Sequence, residues 1–294
     1  MPVTGRKRLK DEGRNAISMN DRTVLTASRV ADFRETVYDY YRRHSRQFPW
    51  RETTDPYRIL VSEIMLQQTQ APRVLLKYEE FLQHFPDVSS LASAPLHDVL
   101  GAWQGLGYNR RALALKQSAQ KIVAFHGGII PRDEGSLVSL PGIGTATARA
   151  VRAFAFNEPV IFIETNIRAV FIHYFFSQEE TVSDSDLRPL VEKTLDHDNP
   201  RRWYNALMDY GTFLKKAHAN PARKSSHHQK QSPFEGSVRQ IRGAIIRLLL
   251  EKTSLAEPDV ISAFHCEADL MQEILKQLER ERIIVKSGGN ISIS

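Results

Sequence analysis

Residues 140–148 carry a glycine pattern suited to holding a phosphate group. They read LPGIGTATA, so Gly142 and Gly144 lie two positions apart, directly before an apolar stretch with helical spacing. Paired glycines allow a tight turn with positive φ and a close approach of the backbone to a ligand. The apolar helix predicted after this segment would add free N–H groups and the positive end of its dipole. The pattern predicts a phosphate seat that reads no base sequence. A glycine pair alone is also compatible with an ordinary turn between helices.

The elements that would position this turn are predicted to be helices. Phe33, Val37 and Tyr40 recur at the i, i+4 and i+7 positions of one helical face. Alternating strand patterns are scarce up to about residue 217, so this part of the chain is predicted to be mainly α. Further helices are predicted at residues 99–103, 112–125, 166–176, 184–195 and 202–216, and another follows the turn at 140–148 and runs to about residue 156.

The pattern changes after residue 217. Residues 218–237 are polar and basic, which predicts a linker or a surface loop. Residues 238–294 show three helical stretches followed by a β-hairpin signature, the order of a small winged-helix-like domain. The predicted elements are helices at 238–251, 257–264 and 267–281 and strands at 283–285 and 291–293. Residues 1–28 are polar and predict a disordered tail, whose basic GRKRLK run either touches phosphates or has no role.

Composition narrows the class of protein. The 294 residues have a formal net charge of +6, which mildly favours a polyanionic partner. Cys266 is the one cysteine, so an internal disulfide framework and a cluster held by several thiolates are excluded. No apolar run approaches the ~20 residues that a membrane span requires, and no secretory signal is recognisable. A cytoplasmic protein without membrane contact is expected.

Six strings in the chain together resemble one family. They are FPWR (48–51), DPY (55–57), SEIMLQQTQ (62–70), WQGLGY (103–108), LPGIGTATA (140–148) and ALMDYG (206–211). In this order they closely resemble the MutY-type adenine DNA glycosylases of the helix-hairpin-helix, or endonuclease III-like, superfamily. The resemblance covers about residues 30–217, and a glycosylase domain is accordingly expected at 29–217. The most specific string is SEIMLQQTQ.

The resemblance implies a two-lobed helical fold that holds double-stranded DNA, with the target base extruded into the cleft between the lobes. It implies that Gln67, Gln68 and Thr69 lie at the intercalating edge, where amide and hydroxyl groups can bond to the orphaned partner base. A polar helix C-terminus is the alternative for these three residues. The other positions expected to contact DNA are Tyr108, Arg111, Gly142, Gly144, Thr145, Lys215 and Lys216.

The resemblance also makes Glu63 the catalytic acid. Loss of adenine requires protonation of the leaving purine, which a carboxylic acid with a raised pKa can supply. Its neighbours Ile64, Met65 and Leu66 are apolar, so a partly desolvated site is expected. From its charge alone, a surface or ion-paired glutamate would be expected instead.

The second carboxylate departs from the family pattern. The family has an aspartate before a helix, where it stabilises the positive charge developing on the sugar, but this chain has Glu164. Glutamate is one methylene longer and a poorer helix N-cap than aspartate, so Thr165 or Asn166 is predicted to cap the helix instead. We expect Glu164 to be catalytic in a reshaped pocket; a structural carboxylate is the alternative.

Two further departures concern cofactor and reaction type. Ala146 occupies the hairpin position where bifunctional relatives have a Schiff-base lysine, so strand cleavage by that route is not expected. Most relatives have four spaced cysteines after the last core helix, whereas residues 213–231 read FLKKAHANPARKSSHHQKQ. No iron–sulfur cluster and no other metal is therefore expected. Lys215 and Lys216 would contribute positive surface there, together with Arg223 and Lys224.

The expected function is monofunctional removal of a mispaired base, most directly adenine opposite guanine or oxidised guanine, by a monomer. Residues 238–294 are too short for the Nudix-like domain with which the family recognises oxidised guanine, so the opposite base is left open. The C-terminal residues would bind duplex DNA, bind a partner protein or cap the core. Removal of thymine or uracil opposite guanine is the alternative chemistry. A non-catalytic protein that binds distorted DNA is the second alternative.

Overall fold

The computed structural model describes residues 25–230, 233–264 and 266–294. Most of the tail predicted at 1–28 lies outside the described residues. The chain divides into two compact units. Of the residues that the structure describes, the first unit comprises 25–45, Ile163–Leu195 and Trp203–His228. The second comprises Arg46–Phe162, Asp196–Arg202 and residues 229–230, 233–264 and 266–294.

The described residues are predominantly helical, which confirms the predicted fold class. In chain order the α-helices are α1 (Ala27–His44), α2 (Pro56–Leu66), α3 (Ala71–His84), α4 (Val88–Ser93), α5 (Leu96–Ala102), α6 (Arg110–His126), α7 (Glu134–Val138), α8 (Thr145–Phe156), α9 (Thr165–Phe175), α10 (Asp184–Thr194), α11 (Pro200–Ala217), α12 (Val238–Lys252), α13 (Glu257–Ser262) and α14 (Ala268–Arg280). Short 3-10 helices cover Pro49–Arg51 and Pro221–Lys224. The strands are β1 (Ser254–Ala256), β2 (Ile284–Ser287) and β3 (Asn290–Ile293). In the part of the chain that the structure describes, none of the helices is long and apolar enough to cross a bilayer.

The first unit is built around an aromatic core. Phe33 of α1 packs edge-on against Phe171 and Phe175 of α9 and against Trp203 of α11, with ring centroids 5.2–5.9 Å apart. Edge-to-face ring pairs contribute stabilisation beyond their buried area. This core joins α1, α9 and α11, and so positions the beginning of α9.

The stretch predicted to be a linker or loop is partly ordered within the first unit. Val182 and Ser225 form a parallel bridge. The N–H of Val182 donates to the carbonyl of Lys224 at 2.8 Å, and the N–H of Ser226 donates to the carbonyl of Val182 at 2.9 Å. The side chain of Asn220 caps the 3-10 helix Pro221–Lys224. Main-chain hydrogen bonds therefore hold the beginning of the predicted linker on this unit.

In the second unit, α2 lies in the hydrophobic core. Asp55 caps its first turn by accepting hydrogen bonds from the N–H groups of Tyr57 and Arg58, and Pro56 occupies the first helical position. Residues from all around α2 are buried, because α3, α6 and α8 pack against it. The buried residues of this helix are Tyr57, Ile59, Leu60, Val61, Ser62, Ile64 and Met65.

The C-terminal elements of the second unit follow the order of a winged helix. The three strands form an antiparallel sheet in the order β1-β3-β2, with Leu255 opposite Ile291 and Val285 opposite Ser292. The predicted hairpin is present as β2 and β3. Strand β1, which has only three residues, was not predicted from the sequence. Ile245, Ile246 and Leu249 of α12 are buried in the hydrophobic core that also contains α2.

Candidate active site

The hairpin between α7 and α8 has the geometry of an exposed anion seat. Gly142 has φ +76°, and a Cβ there would lie 2.8 Å from the Cβ of Ala114. Gly144 has φ −87° and open space where a Cβ would lie, so just the first glycine of the pair uses positive φ. Residues 144–146 are exposed, which leaves the N-terminus of α8 open to an incoming phosphate. The side chains of Leu140 and Ile143 are buried beneath it.

Gln67 connects the end of α2 to this hairpin. Its Nε2 donates to the carbonyl of Gly142 and to the hydroxyl of Thr147, both at 3.2 Å. Gln68 follows in the left-handed region with φ +56°, and its side chain is exposed. The two adjacent amides therefore differ: one is held against the hairpin and the other lies at the surface. The predicted intercalating role of residues 67–69 stays a prediction.

Arg111 is bonded to the backbone at the end of α2. Its guanidinium donates to the carbonyls of Ile64, Met65 and Gln67 at 2.5–3.0 Å and to the hydroxyl of Thr69 at 2.9 Å. The other end of the same group donates to the carbonyls of residues 106 and 107. Desolvation lowers the pKa of Arg111 to about 10, so the side chain remains charged at neutral pH. Its hydrogen bonds indicate a positioning role besides the predicted DNA contact.

Glu63 lies on α2 between buried neighbours. Ser62 and Ile64 are almost fully buried, whereas Glu63 is only partly buried. The hydroxyl of Ser62 donates to the carbonyl of Ile59 and so stays within the helix. The packing of the other faces of α2 holds the backbone of Glu63 in place, while its carboxyl side chain keeps access to solvent.

Glu164 caps α9, so the prediction that Thr165 or Asn166 would take this position was wrong. Its Oε1 accepts hydrogen bonds from the N–H of Asn166 at 2.7 Å and of Ile167 at 3.3 Å. The longer side chain folds back onto the first turn of the helix and binds the N–H groups that an aspartate N-cap would use. Which residue caps α9 depended on the conformation of the Glu164 side chain, which N-cap preferences alone do not determine.

Two opposing influences act on the Glu164 carboxyl group. Burial among protein atoms raises its pKa, although the residue as a whole is only partly buried. The N–H of Asn166 and the positive charge of Lys215 oppose this increase. Lys215 is partly buried and Lys216 is exposed. The sequence predicted a DNA-facing position for both lysines. It did not predict that the charge of Lys215 would lower the pKa of Glu164.

The helix that carries Lys215 passes very close to the start of α9. A Cβ on Gly211 would overlap the carbonyl oxygen of Asn166, so no larger residue fits there without a shift of the backbone. Thr212 donates to Oδ1 of Asn166 at 3.3 Å, which fixes the asparagine side chain. The glycine of the ALMDYG string is therefore required by the approach of α11 to the segment that contains Glu164.

Within the described ranges, no group of three or more His, Cys, Asp and Glu residues is arranged to hold a metal ion. The expectation that the protein has no iron–sulfur cluster stays a prediction.

The comparisons with known proteins agree with this arrangement of helices and hairpin. Residues 61–193 match the family described as HhH-GPD superfamily base excision DNA repair protein. The adenine DNA glycosylase of Mycobacterium tuberculosis is 34% identical over 230 residues, which cover 71% of this chain and 76% of the relative. The Homo sapiens adenine DNA glycosylase is 32% identical over 244 residues, covering 79% of this chain and 43% of that protein.

Solved structures show the same fold. A thermostable thymine-DNA glycosylase superposes with a TM-score of 0.57 at 26% identity and covers 64% of this chain and 88% of that one. An endonuclease III–DNA covalent intermediate has a TM-score of 0.51 at 20% identity and covers 72% of this chain and 92% of that one. The fold and site thus define a helix-hairpin-helix base-excision protein. Within that superfamily, the chain belongs to the adenine DNA glycosylase family.

Proposed function

We propose that this protein is a base-excision DNA glycosylase that hydrolyses the N-glycosidic bond of adenine in a mispair. The observation that carries the proposal is its kinship with adenine DNA glycosylases over most of both chains. Double-stranded DNA is the partner, and the base opposite the excised adenine is guanine or oxidised guanine. The protein acts as a monomer and uses no metal cofactor.

In this reaction Glu63 donates a proton to the leaving purine. The bond between the base and C1′ of the sugar breaks, and the base leaves with its electron pair and the donated proton. Water supplies the new oxygen at C1′, and the proton that it loses replaces the one given up by Glu63. Glu164 supports the sugar as positive charge develops on it, provided that its carboxyl group is ionised. The support for these roles is the position of Glu63 on a packed helix and the orientation of Glu164 by two backbone N–H groups.

The hairpin would hold a phosphate close to the lesion while these groups act. The exposed N-terminus of α8 and the left-handed Gly142 support this assignment. Ala146 is exposed in the same turn and has no amine with which to form a Schiff base. The expected product is therefore an intact strand with an abasic site.

A panel of labelled duplexes tests the reaction and its base preference. Duplexes with A opposite G, A opposite 8-oxoguanine, T opposite G and U opposite G are incubated with enzyme and then treated with hot alkali. We expect breaks at adenine that require the alkali step, and no trapping of a covalent complex by borohydride. Glu63→Gln should slow adenine excision by at least about 100-fold, since general acid catalysis contributes on that order.

A second candidate function is excision of thymine or uracil opposite guanine. The structural similarity to a thymine-DNA glycosylase, at a sequence identity above one quarter, favours keeping it in the same panel. Pyrimidine loss depends less on protonation of the leaving base, so Glu63→Gln would then have a smaller effect. Breaks at T or U alone would replace the adenine proposal. Tight binding without breaks in any duplex would contradict both, and would leave a protein that binds distorted DNA.

A further inference from the structure

The C-terminal elements pack against the helix that precedes the WQGLGY loop, which we define as residues 103–108. Nε2 of His97 in α5 donates to the carbonyl of Leu250 in α12 at 3.2 Å. Ile245 and Ile246 of α12 share a hydrophobic core with Val99 of α5. These contacts lie within one compact unit and hold α12 against the helix that leads into the loop.

Tyr108 at the end of the loop has an unusual backbone conformation. Its φ is +50°, a left-handed value that a tyrosine adopts only when its surroundings hold it there. Nε1 of Trp103 donates to the carbonyl of Gly107 at 3.1 Å, and Arg111 donates to the same carbonyl at 3.1 Å. The backbone of the loop is thus held from the side of the helical core.

The Tyr108 side chain is held from the other side by the C-terminal elements. Nη1 of Arg239, in the first turn of α12, donates to the Tyr108 hydroxyl at 2.8 Å. The Arg239 guanidinium also lies 5.8 Å from the centre of the tyrosine ring, and that of Arg111 lies 5.4 Å from it. Two guanidinium groups therefore contact one partly buried aromatic ring. One of them, Arg239, lies beyond residues 30–217, to which the family resemblance extends.

The charges of α14 argue against a duplex-reading role for the C-terminal elements. In DNA-binding helix-turn-helix proteins the recognition helix enters the major groove, where it is surrounded by phosphates. In this chain α14 carries more acidic than basic residues, which phosphates would repel. Its acidic residues are Asp269, Glu273 and Glu279, and its basic residues are Lys276 and Arg280.

We propose that Arg239 is a positioning residue for DNA engagement, and that the C-terminal elements act through Tyr108 rather than by reading DNA themselves. This rests on the proposed function as a DNA glycosylase. A tyrosine ring offers a flat apolar surface on which a DNA base can stack. A ring that is already oriented by Arg239 loses less freedom when it meets DNA, so binding is tighter.

The proposal is tested with Arg239→Met, Arg239→Lys and Tyr108→Phe, and with Arg247→Met as control. Arg247 is an exposed arginine on the same helix. The probe is a duplex with a tetrahydrofuran abasic-site analogue opposite guanine, which the enzyme cannot cleave. Loss of the charge-assisted hydrogen bond should raise the Kd about 5- to 20-fold in Arg239→Met and in Tyr108→Phe. Arg239→Lys should restore part of the affinity, and Arg247→Met should stay within about twofold apart from its general charge effect.

A double mutant separates this mechanism from a direct phosphate contact by Arg239. If both residues act through one bond, the Kd of the double variant should match that of either single variant. Independent effects that multiply would overturn the proposal. So would a fall of about one in the slope of log K against log salt for Arg239→Met, because that change marks a lost phosphate contact. Tyr108→Phe retains the ring and serves where Arg239→Met does not fold.

Excision measurements complete the test. With the A·G duplex under single-turnover conditions, the effect of Arg239→Met should fall on the half-saturating enzyme concentration rather than on the saturated rate. A loss confined to the saturated rate would contradict a role in DNA engagement. Binding to the abasic-analogue duplex needs no chemistry. A wild-type protein that excises no base but whose affinity depends on Arg239 would therefore contradict the proposed function alone.

Discussion

Glu164 shows how a glutamate can take the N-cap position of a helix. The folded-back side chain bonds to the first-turn N–H groups of α9, so the carboxylate is oriented as a helix cap. Burial nevertheless favours its neutral form, and Lys215 favours the charged form. The pKa of this group is therefore influenced by a neighbour on another helix.

Lys215→Met should shift the acid limb of the pH–rate profile to higher pH. The positive charge of Lys215 lowers the pKa of Glu164, so removing it raises this pKa further above the ordinary carboxyl value. Because the proposed mechanism requires an ionised Glu164, activity would then be lost at a higher pH as the solution is acidified. The measurement is the single-turnover excision rate from acid to neutral pH at saturating enzyme.

The adjacent Lys216→Met variant is the matched control for this shift. Lys216 is exposed, and its removal takes away the same charge from the DNA-facing surface predicted for both lysines. It should weaken DNA binding without moving the acid limb. An unchanged acid limb in Lys215→Met would show that Lys215 does not act on the ionisation required for catalysis.

At the scale of elements, the end of α2 and the hairpin before α8 form one connected structure. Gln67 bonds to the hairpin, and Arg111 bonds to successive carbonyls at the end of α2. Arg111 also bonds to residues 106 and 107 of the WQGLGY loop. Three segments that the resemblance places near DNA are therefore held together by backbone-directed hydrogen bonds.

The two hairpin glycines should respond differently to alanine. Gly142→Ala would place a Cβ in the left-handed region and against Ala114, so we expect a loss of about 1–3 kcal/mol in unfolding free energy. Gly144 has ordinary φ and free space, so Gly144→Ala should cost under about 1 kcal/mol, the difference between the two residues as helix caps. Urea unfolding of both variants measures these losses.

Binding measurements on the same pair test the phosphate seat. In Gly144→Ala the added methyl projects from an exposed turn, where it would keep a phosphate from the α8 N-terminus. We expect this variant to bind duplex DNA more weakly although it stays folded. Equal stability losses in the two variants, or unchanged DNA affinity in Gly144→Ala, would argue against the proposed geometry.

At the scale of the molecule, the C-terminal elements are part of the second unit and not a separate body. Their buried residues belong to the same hydrophobic core as α2 and α5. Arg242 and Glu281 pair within these elements, and Nε of Arg110 in α6 lies 3.8 Å from Glu281. Folding of residues 238–294 should therefore be coupled to folding of the helices that carry the candidate site.

Leu249→Ala tests this coupling. Leu249 is fully buried in the shared core, so its truncation should lower the unfolding free energy by about 2–5 kcal/mol. The exposed Val285 in the same C-terminal elements is the control, and Val285→Ala should stay within about 0.5 kcal/mol. The unfolding transition is followed by both helical circular dichroism and tryptophan fluorescence. A separate early transition for the C-terminal elements would contradict coupled folding.

Local patterns in the sequence determined most of the helices, because apolar periodicity and capping residues such as Asp55 act over a few positions. The same holds for the three C-terminal helices and the hairpin, whose order predicted a winged helix. The three-residue β1 was missed because a strand so short has no recognisable alternation and depends on β3 for its hydrogen bonds. The catalytic role predicted for Glu63 rested on the resemblance of the SEIMLQQTQ motif to the family, since charge and spacing alone favoured a surface glutamate.

Other features were decided only by tertiary structure. The cap of α9 depended on how the Glu164 side chain folds, and the influence of Lys215 depended on the approach of α11 at Gly211. The bond between Arg239 and Tyr108 joins residues that are 131 positions apart. Local propensity carries no information about such pairs, because their energies arise only when packing brings distant segments together.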